Sequence, residues 1–227
     1  MNKTAIAESV GLAIVLTTLS YAVGISMGWI TELNWLEVFA VATSYSCTWL
    51  CTRQSRWNYP IGVITTGAYS ILFYQMGALA LAVFNLYLVF SLAYGWFRWG
   101  NDEDTRPVTR IAPAWYLGYG SLGLAILGVF LGANMLFNPT GLSELSSIDV
   151  GLAVASGVAQ FMLDNKKLEN WTLWAMINIV SIPYFIYSGL TLVAFQYVGF
   201  LINTFIGHYQ WKKSLSSLGQ SRQAASH

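Results

Sequence analysis

Long apolar stretches, separated by short polar connections, follow one another along almost the whole chain. A membrane-spanning helix needs about 20 mostly apolar residues, and eight stretches come close to that length. Their apolar residues are continuous rather than alternating, which favours helices over the strands of a membrane barrel. The predicted spans are Val10 to Trp29, Trp35 to Thr52, Trp57 to Met76, Leu79 to Trp99, Ala114 to Met135, Ile148 to Leu163, Trp171 to Ser188 and Leu190 to Gln210.

The composition supports this pattern. Of the 227 residues, 56% are apolar and 9% are charged, with a net charge of +1. A soluble domain carries about 25% charged residues, so the chain lacks the polar groups to cover a soluble surface. High hydrophobicity excludes intrinsic disorder, and the missing basic stripe argues against nucleic-acid binding. An all-α integral membrane protein is predicted. Its first span is expected to be retained, because no clear signal-peptide cleavage site follows it.

The placement of charge gives a topology. With eight spans and a cytoplasmic N-terminus, every basic residue falls on the cytoplasmic side, as the positive-inside rule requires. Both termini are therefore predicted to be cytoplasmic. The basic residues are Lys3, Arg53, Arg56, Arg98, Arg106, Arg110, Lys166, Lys167, Lys212, Lys213 and Arg222.

Spans two to four resemble spans six to eight, and both triplets begin on the outer side, which indicates a parallel repeat. The pairs that lie 112 residues apart are Glu37 and Asp149, Gly77 and Gly189, Gly95 and Gly207, and Trp99 and Trp211. Trp57 and Trp171 are 114 apart, so this match requires a shift of two residues.

The predicted organisation is one extra helix followed by a 3+1+3 core. The glycine-rich fifth span suits a linker helix that packs closely on its neighbours. The segments are an extra transmembrane helix (1–34), a first three-helix repeat (35–99), a cytoplasmic loop and linker helix (100–145), a second three-helix repeat (146–211) and a cytoplasmic tail (212–227).

Polar and aromatic side chains mark one face of several spans. Trp171, Trp174 and Asn178 follow each other at helical spacing, so that indole rings could stack on a ligand while the amide bonds to it. An interfacial aromatic belt with an interhelical hydrogen bond is the alternative. The faces of three other spans point to the same central site, and by helical geometry they add Tyr69, Asn85, Tyr87, Gln196 and Asn203.

Several absences restrict the mechanism. None of the ten acidic residues falls in mid-span, which disfavours coupling to a proton or sodium gradient. The chain has no phosphate-binding loop, and its two distant histidines predict no metal site. No nucleophile–base pattern is present. We therefore expect neither an enzyme nor a cofactor.

The segment from Glu169 to Asn178 resembles the W-x-x-W-x-x-x-N motif of the PnuC family of bacterial vitamin transporters. Trp57-Asn-Tyr-Pro60 and the segment from Tyr94 to Trp99 resemble the other half of that family. The resemblance implies a 3+1+3 core distantly related to the SWEET sugar transporters, a homotrimer in the bacterial inner membrane, and a substrate site that includes Trp171, Trp174 and Asn178. It also implies facilitated diffusion, with trapping by a cytoplasmic kinase that phosphorylates the vitamin.

The family divides by substrate. Nicotinamide riboside is expected first and thiamine second, since both carry a cationic ring that aromatic faces can hold, and riboflavin is less expected. A structural or sensory membrane protein without transport is the rival from another class.

Overall fold

The computed structural model describes residues 3–75, 79–100, 106–137, 144–187 and 191–224. Eight α-helices are present in these segments, together with one short 3-10 turn at Pro113–Trp115. The helices are α1 Lys3–Ser26, α2 Trp35–Thr52, α3 Asn58–Gln75, α4 Leu79–Arg98, α5 Tyr116–Phe137, α6 Glu144–Asp164, α7 Asn170–Tyr187 and α8 Thr191–Ala224. The all-helical prediction is confirmed, and the match of Gly77 with Gly189 lies outside the described residues.

Most helix ends agree with the predicted spans, and two differ. Helix α1 begins at Lys3 rather than Val10, and α8 continues to Ala224 rather than ending near Gln210. Both extensions mix polar and apolar residues, so each helix continues beyond the stretch that an apolar run alone would define. Helix α2 begins where expected because Asn34 caps it, with Oδ1 accepting from the backbone amides of Leu36 and Glu37 at 3.0 and 3.3 Å.

Six of the helices form a closed ring. Within the described residues the order around the ring is α2, α3, α4, α6, α7, α8 and back to α2, each helix packing against its two neighbours. Helix α1 packs outside the ring against α2 and α8, and α5 packs outside it against α6. Side chains from helices that are not neighbours can therefore meet only in the interior of the ring.

The connections after α2, α4 and α6 lie together at one end, here called the basic end. Arg53, just after α2, forms an ion pair of 2.6 Å with Glu8 near the start of α1. Thr109, in the segment before α5, pairs its backbone with Lys167 beyond α6. Arg98 Nε, at the end of α4, donates to Asn165 Oδ1 at 3.2 Å. The basic residues of these connections are therefore gathered at a single end of the bundle.

Large apolar side chains cover much of the outer surface, among them Ile14, Phe90, Leu124, Met176 and Phe205. Within the described residues, one helix, Thr4–Ser26, is by length and composition alone able to cross a membrane, and Val150–Asp164 is a shorter apolar helix. For the other helices the membrane assignment stays a prediction.

Candidate functional site

Helix α7 separates its two faces clearly. Trp171, Asn178 and Ser181 are buried, whereas Met176 and Ile179 are exposed. The helix continues through Pro183 to Tyr187. The predicted polar face is thus turned into the protein, and the opposite face belongs to the apolar outer surface. Trp174 lies between the two and is half-buried.

Four aromatic rings close the interior of the ring at the basic end. We call them the aromatic cluster: Tyr59, Trp99, Trp171 and Trp211. Each is 4% exposed or less. Tyr59 meets Trp99 with ring centroids 5.1 Å apart, Trp99 meets Trp211 at 5.8 Å, and Trp211 meets Trp171 at 5.4 Å. All three contacts are edge-to-face, a favoured arrangement of aromatic rings. The cluster therefore spans the interior from α3 to α7.

Two glycines make the cluster possible. A Cβ on Gly95 of α4 would lie less than 3.0 Å from ring atoms of Tyr59 and from Asp164 Oδ1. A Cβ on Gly207 of α8 would lie less than 3.0 Å from the ring of Trp171. Each ring thus packs directly on the backbone of the neighbouring helix, which is the physical reason for glycine at these two positions.

The connections at residues 52–59 and 164–171, here the first and second connections, have the same backbone. Gln54 and Lys166 have positive φ angles of 53° and 48°. The amide of Ser55 donates to Leu50 O at 2.9 Å, and that of Lys167 donates to Met162 O at 2.9 Å. Asn58 Nδ2 donates to Ser55 O at 2.7 Å, as Asn170 Nδ2 does to Lys167 O at 2.6 Å. Every pair lies 112 positions apart.

The same offset makes Tyr59, not Trp57, the counterpart of Trp171. The expected shift of two residues is therefore wrong. Trp57 packs elsewhere, against Trp96 with ring centroids 5.8 Å apart. The aromatic match was misleading because it compared residue types, whereas the position in the cluster is filled by a tyrosine in one half and by a tryptophan in the other.

Hydrogen bonds from the cluster cross between the two halves of the chain. Trp99 Nε1 donates to Leu163 O of α6 at 3.3 Å, and Trp211 Nε1 donates to Cys51 O of α2 at 3.0 Å. Leu163 and Cys51 are again 112 positions apart. Each half thus binds the helix end of the other, which fixes the two halves against one another at the basic end.

A second group of polar side chains meets further along the interior. The Tyr69 hydroxyl of α3 donates to Gln196 Oε1 of α8 at 3.2 Å, and Gln196 Nε2 donates to Ser44 Oγ of α2 at 2.6 Å. We call these three residues the central network. Because α3 and α8 are not neighbours in the ring, this contact lies inside it. Tyr69 is ten residues beyond Tyr59, which is about 15 Å along a helix.

The other predicted site residues are distributed around these two groups. Asn178 Nδ2 donates to Thr204 Oγ1 of α8 at 3.1 Å, Asn85 is buried on α4, and Asn203 is half-buried on α8. Tyr87 is 40% exposed and stacks on Phe84 with ring centroids 6.3 Å apart. Tyr69 and Gln196 are thus in direct contact, Trp171 belongs to the aromatic cluster, and Tyr87 faces outward.

Three polar residues of the interior were not expected from the sequence. Ser44 and Thr204 bind predicted site residues, and Asp164 is completely buried although the pattern put it at a polar helix end. The 112-residue offset gives a signal for Asp164, because its counterpart Thr52 follows the apolar run from Trp49 to Cys51. The burial of both residues is seen only in the structure.

Lys166 is buried in the second connection. Its Nζ lies 4.4 Å from the centroid of the Trp99 ring and donates to Gln54 Oε1 at 3.5 Å. Burial, followed by the nearby positive charge of Arg106, lowers the pKa of Lys166 to about 8. Trp99 of the aromatic cluster therefore already holds one cation, the Lys166 ammonium, against a face of its ring. Within the described residues, no group of His, Cys, Asp and Glu side chains could hold a metal ion.

A ring of helices around buried polar groups, closed at one end by aromatic side chains, suits a small-molecule carrier. Residues 34–213 match the family model described as nicotinamide mononucleotide transporter, and the chain belongs to that family.

Individual relatives agree with this assignment. The chain is 26% identical to the nicotinamide riboside transporter PnuC of Escherichia coli (strain K12), over 86% of this chain and 92% of the relative. It is 23% identical to the riboflavin/roseoflavin transporter RibM of Streptomyces davaonensis, over 64% of this chain and 70% of the relative. The fold matches the crystal structure of the vitamin B3 transporter PnuC, with a TM-score of 0.72, 20% identity and 92% of each chain covered.

Proposed function

We propose that this chain carries nicotinamide riboside across the bacterial inner membrane. The observation that carries the proposal is the central network, in which Tyr69, Gln196 and Ser44 offer neutral hydrogen-bonding groups inside a closed ring of helices. A ribose with several hydroxyl groups needs such donors and acceptors. The family membership and the nicotinamide riboside transporters among the relatives support the same substrate.

The proposed substrate site lies between the central network and the aromatic cluster. Trp174 and Asn178 lie on α7 about one and two turns from Trp171, and in this proposal they face the substrate. Trp174 would stack on the pyridinium ring, and Asn178 would exchange its bond to Thr204 for one to the substrate. Asn85 and Asn203 lie on α4 and α8 and would complete the site, while Tyr87 would contribute only if α4 rotates.

The proposed topology has eight membrane spans with both termini in the cytoplasm. The ion pair of Arg53 with Glu8, and the pairing of Thr109 with Lys167, support it because they bring the basic connections to one end. The 112-residue correspondence between the two connections supports a 3+1+3 core of two parallel repeats related to the SWEET transporters. The homotrimer rests on the resemblance to the family alone.

The proposed mechanism is facilitated diffusion, followed by trapping when a cytoplasmic kinase phosphorylates the vitamin. The hydrogen bonds that hold the central network together join uncharged side chains, which gives a proton or sodium ion no charged partner there. We expect purified protein in liposomes to take up nicotinamide riboside without any ion gradient. Strict dependence on protons or sodium would contradict this mechanism.

Thiamine is the second candidate within the family, because its cationic ring can be held in the same way. Riboflavin is a third, supported by the similarity to RibM. Binding of all three vitamins to the purified protein, measured by calorimetry and thermal stabilisation, distinguishes them. No response to any vitamin would favour a structural or sensory protein.

The site is tested by Trp174→Ala and Asn178→Ala. Each is expected to weaken vitamin binding at least tenfold, because stacking or a hydrogen bond to the substrate is lost. Met176→Ala is the matched control, since Met176 lies on the same helix but 52% exposed on the outer face. Unchanged affinity in both site variants, with folding intact, would contradict the assignment.

A further inference from the structure

Asp164 is the one acidic residue that the described part of the structure buries completely. It is the last residue of α6, and its carboxylate accepts two hydrogen bonds, from Ser91 Oγ and from Gln160 Nε2, both at 2.9 Å. Both donors are neutral. A carboxylate removed from water is costly unless a positive charge compensates it, and the C-terminal end of a helix adds to that cost.

A compensating cation is missing among the described residues. Arg53 is paired with Glu8, and Lys166, two residues away, is directed to the ring of Trp99 and to Gln54. Buried ionisable groups that remain uncompensated in a membrane protein are candidates for contact with a substrate. A cation that reaches the carboxylate would supply the missing charge.

The first connection provides an internal control. At the position equivalent to Asp164 it has Thr52, which is also buried and donates from its hydroxyl to Trp49 O at 2.7 Å. The backbone, the close-packed glycine and the aromatic contact are the same in both halves. The backbone at this position is therefore the same with and without a carboxylate, so the shape of the connection does not require the charge of Asp164.

Asp164 also lies beside aromatic rings. Its Oδ1 and the ring of Tyr59 both approach Gly95 so closely that neither leaves space for a Cβ. Tyr59 in turn contacts Trp99, which holds the Lys166 ammonium on its face. A carboxylate next to aromatic faces attracts organic cations through both charge and ring quadrupole. A substrate that leaves the proposed site through the basic end would come near this point, because Asp164 ends α6 there.

We propose that Asp164, with the rings of Tyr59 and Trp99, forms an exit site for the positively charged ring of the transported vitamin. The inference rests on the proposed function and extends it: the exit site selects cationic heterocycles over neutral ones. Nicotinamide riboside and thiamine satisfy this requirement, whereas the uncharged ring system of riboflavin does not.

The test compares two substrates that differ in charge but hardly in shape. Nicotinamide riboside has a pyridinium ring, and its dihydropyridine form is neutral with the same ribose and carboxamide. Initial uptake rates of both are measured in liposomes for the wild type, for Asp164→Asn, and for Asp164→Thr, which copies Thr52. Glu8→Gln is the control, because it removes a carboxylate at the same end that is paired and half-exposed.

In both Asp164 variants we expect the ratio of cation uptake to neutral uptake to fall at least tenfold, with the neutral rate within twofold of the wild type. Glu8→Gln is expected to leave the ratio unchanged. Equal loss of both rates, an unchanged ratio, or failure of both Asp164 variants to fold would overturn the exit site. A wild type that takes up neither compound would instead overturn the proposed function, and the exit site with it.

Discussion

The first and second connections have one backbone and two sets of side chains. Both contain a residue with positive φ, an asparagine that binds the backbone three residues earlier, and an aromatic ring packed on a glycine. They differ where Thr52 corresponds to Asp164, Gln54 to Lys166, and Tyr59 to Trp171. Shared features are those that the fold requires. These three differences add charge or an indole to the second connection, whereas the changes from Arg53 to Asn165 and from Arg56 to Leu168 remove charge from it. Positions where charge or an indole is gained are where a chemical function can be sought.

The strongest test of the shared features compares two single variants, Gly95→Val and Gly207→Val. The added side chain would enter the ring of Tyr59 or of Trp171, and overpacking of this kind costs about 3 kcal/mol. We expect both variants to lose this much free energy of unfolding, measured by thermal and denaturant unfolding in detergent.

The control for these variants is Gly67→Ala, because a Cβ on Gly67 has no atom within 4 Å. It is expected to be neutral or slightly stabilising, since alanine favours a helix over glycine. If only one of the two valine variants were destabilised, the two halves would not share the same packing requirement, and the comparison would fail.

The charge of the second connection predicts a dependence on pH. The pKa of Lys166 is about 8 because burial disfavours its charge, while the unfolded chain keeps the ordinary value of 10.5. Between these values the unfolded state binds more protons, so the free energy of unfolding rises with pH. Across the whole interval the gain is on the order of 3–4 kcal/mol, at about 1.4 kcal/mol per pKa unit.

Lys166→Gln makes the second connection match Gln54 of the first. Unfolding is measured between pH 7.5 and pH 10 in both proteins, since the difference between them isolates this one group from the tyrosines. We expect the variant to be more stable at pH 7.5 and to have a smaller slope. If the free energy of unfolding depended on pH in the same way in both proteins, the Lys166 ammonium would be solvated, contrary to its position over Trp99.

The sequence predicted the helices well because a span is defined by its length and apolar character. It did not predict where α1 begins or α8 ends, since the residues at those ends mix polar and apolar types and remain helical without forming a continuous apolar run. It predicted the Gly95 and Gly207 match, but paired Trp171 with Trp57, because residue type is a weaker guide than backbone hydrogen bonding.

The site was predictable in part. The helical spacing of Trp171 and Asn178 correctly gave a buried face of α7. The same reasoning included Tyr87, which is exposed, because a spacing of three or four residues fixes a face but not the direction in which that face points. The sequence places Asp164 only outside the middle of a span, and its burial and its contact with Ser91 of α4 are seen only in the structure.

The crossed indole hydrogen bonds give the smallest expected effect. Trp99→Phe and Trp211→Phe keep most of the ring but remove the donor to Leu163 O or Cys51 O. A hydrogen bond of this kind contributes about 1 kcal/mol, and we expect the loss to be greater for Trp211, whose bond is 3.0 Å rather than 3.3 Å long. Trp115→Phe is the control, because Trp115 is 64% exposed.

The losses in free energy of unfolding should not add in the double variant, since the two rings are in contact. If the two losses in free energy of unfolding simply added, each indole hydrogen bond would stabilise its own contact independently. The aromatic cluster would then consist of two separate contacts and not of one unit shared by both halves.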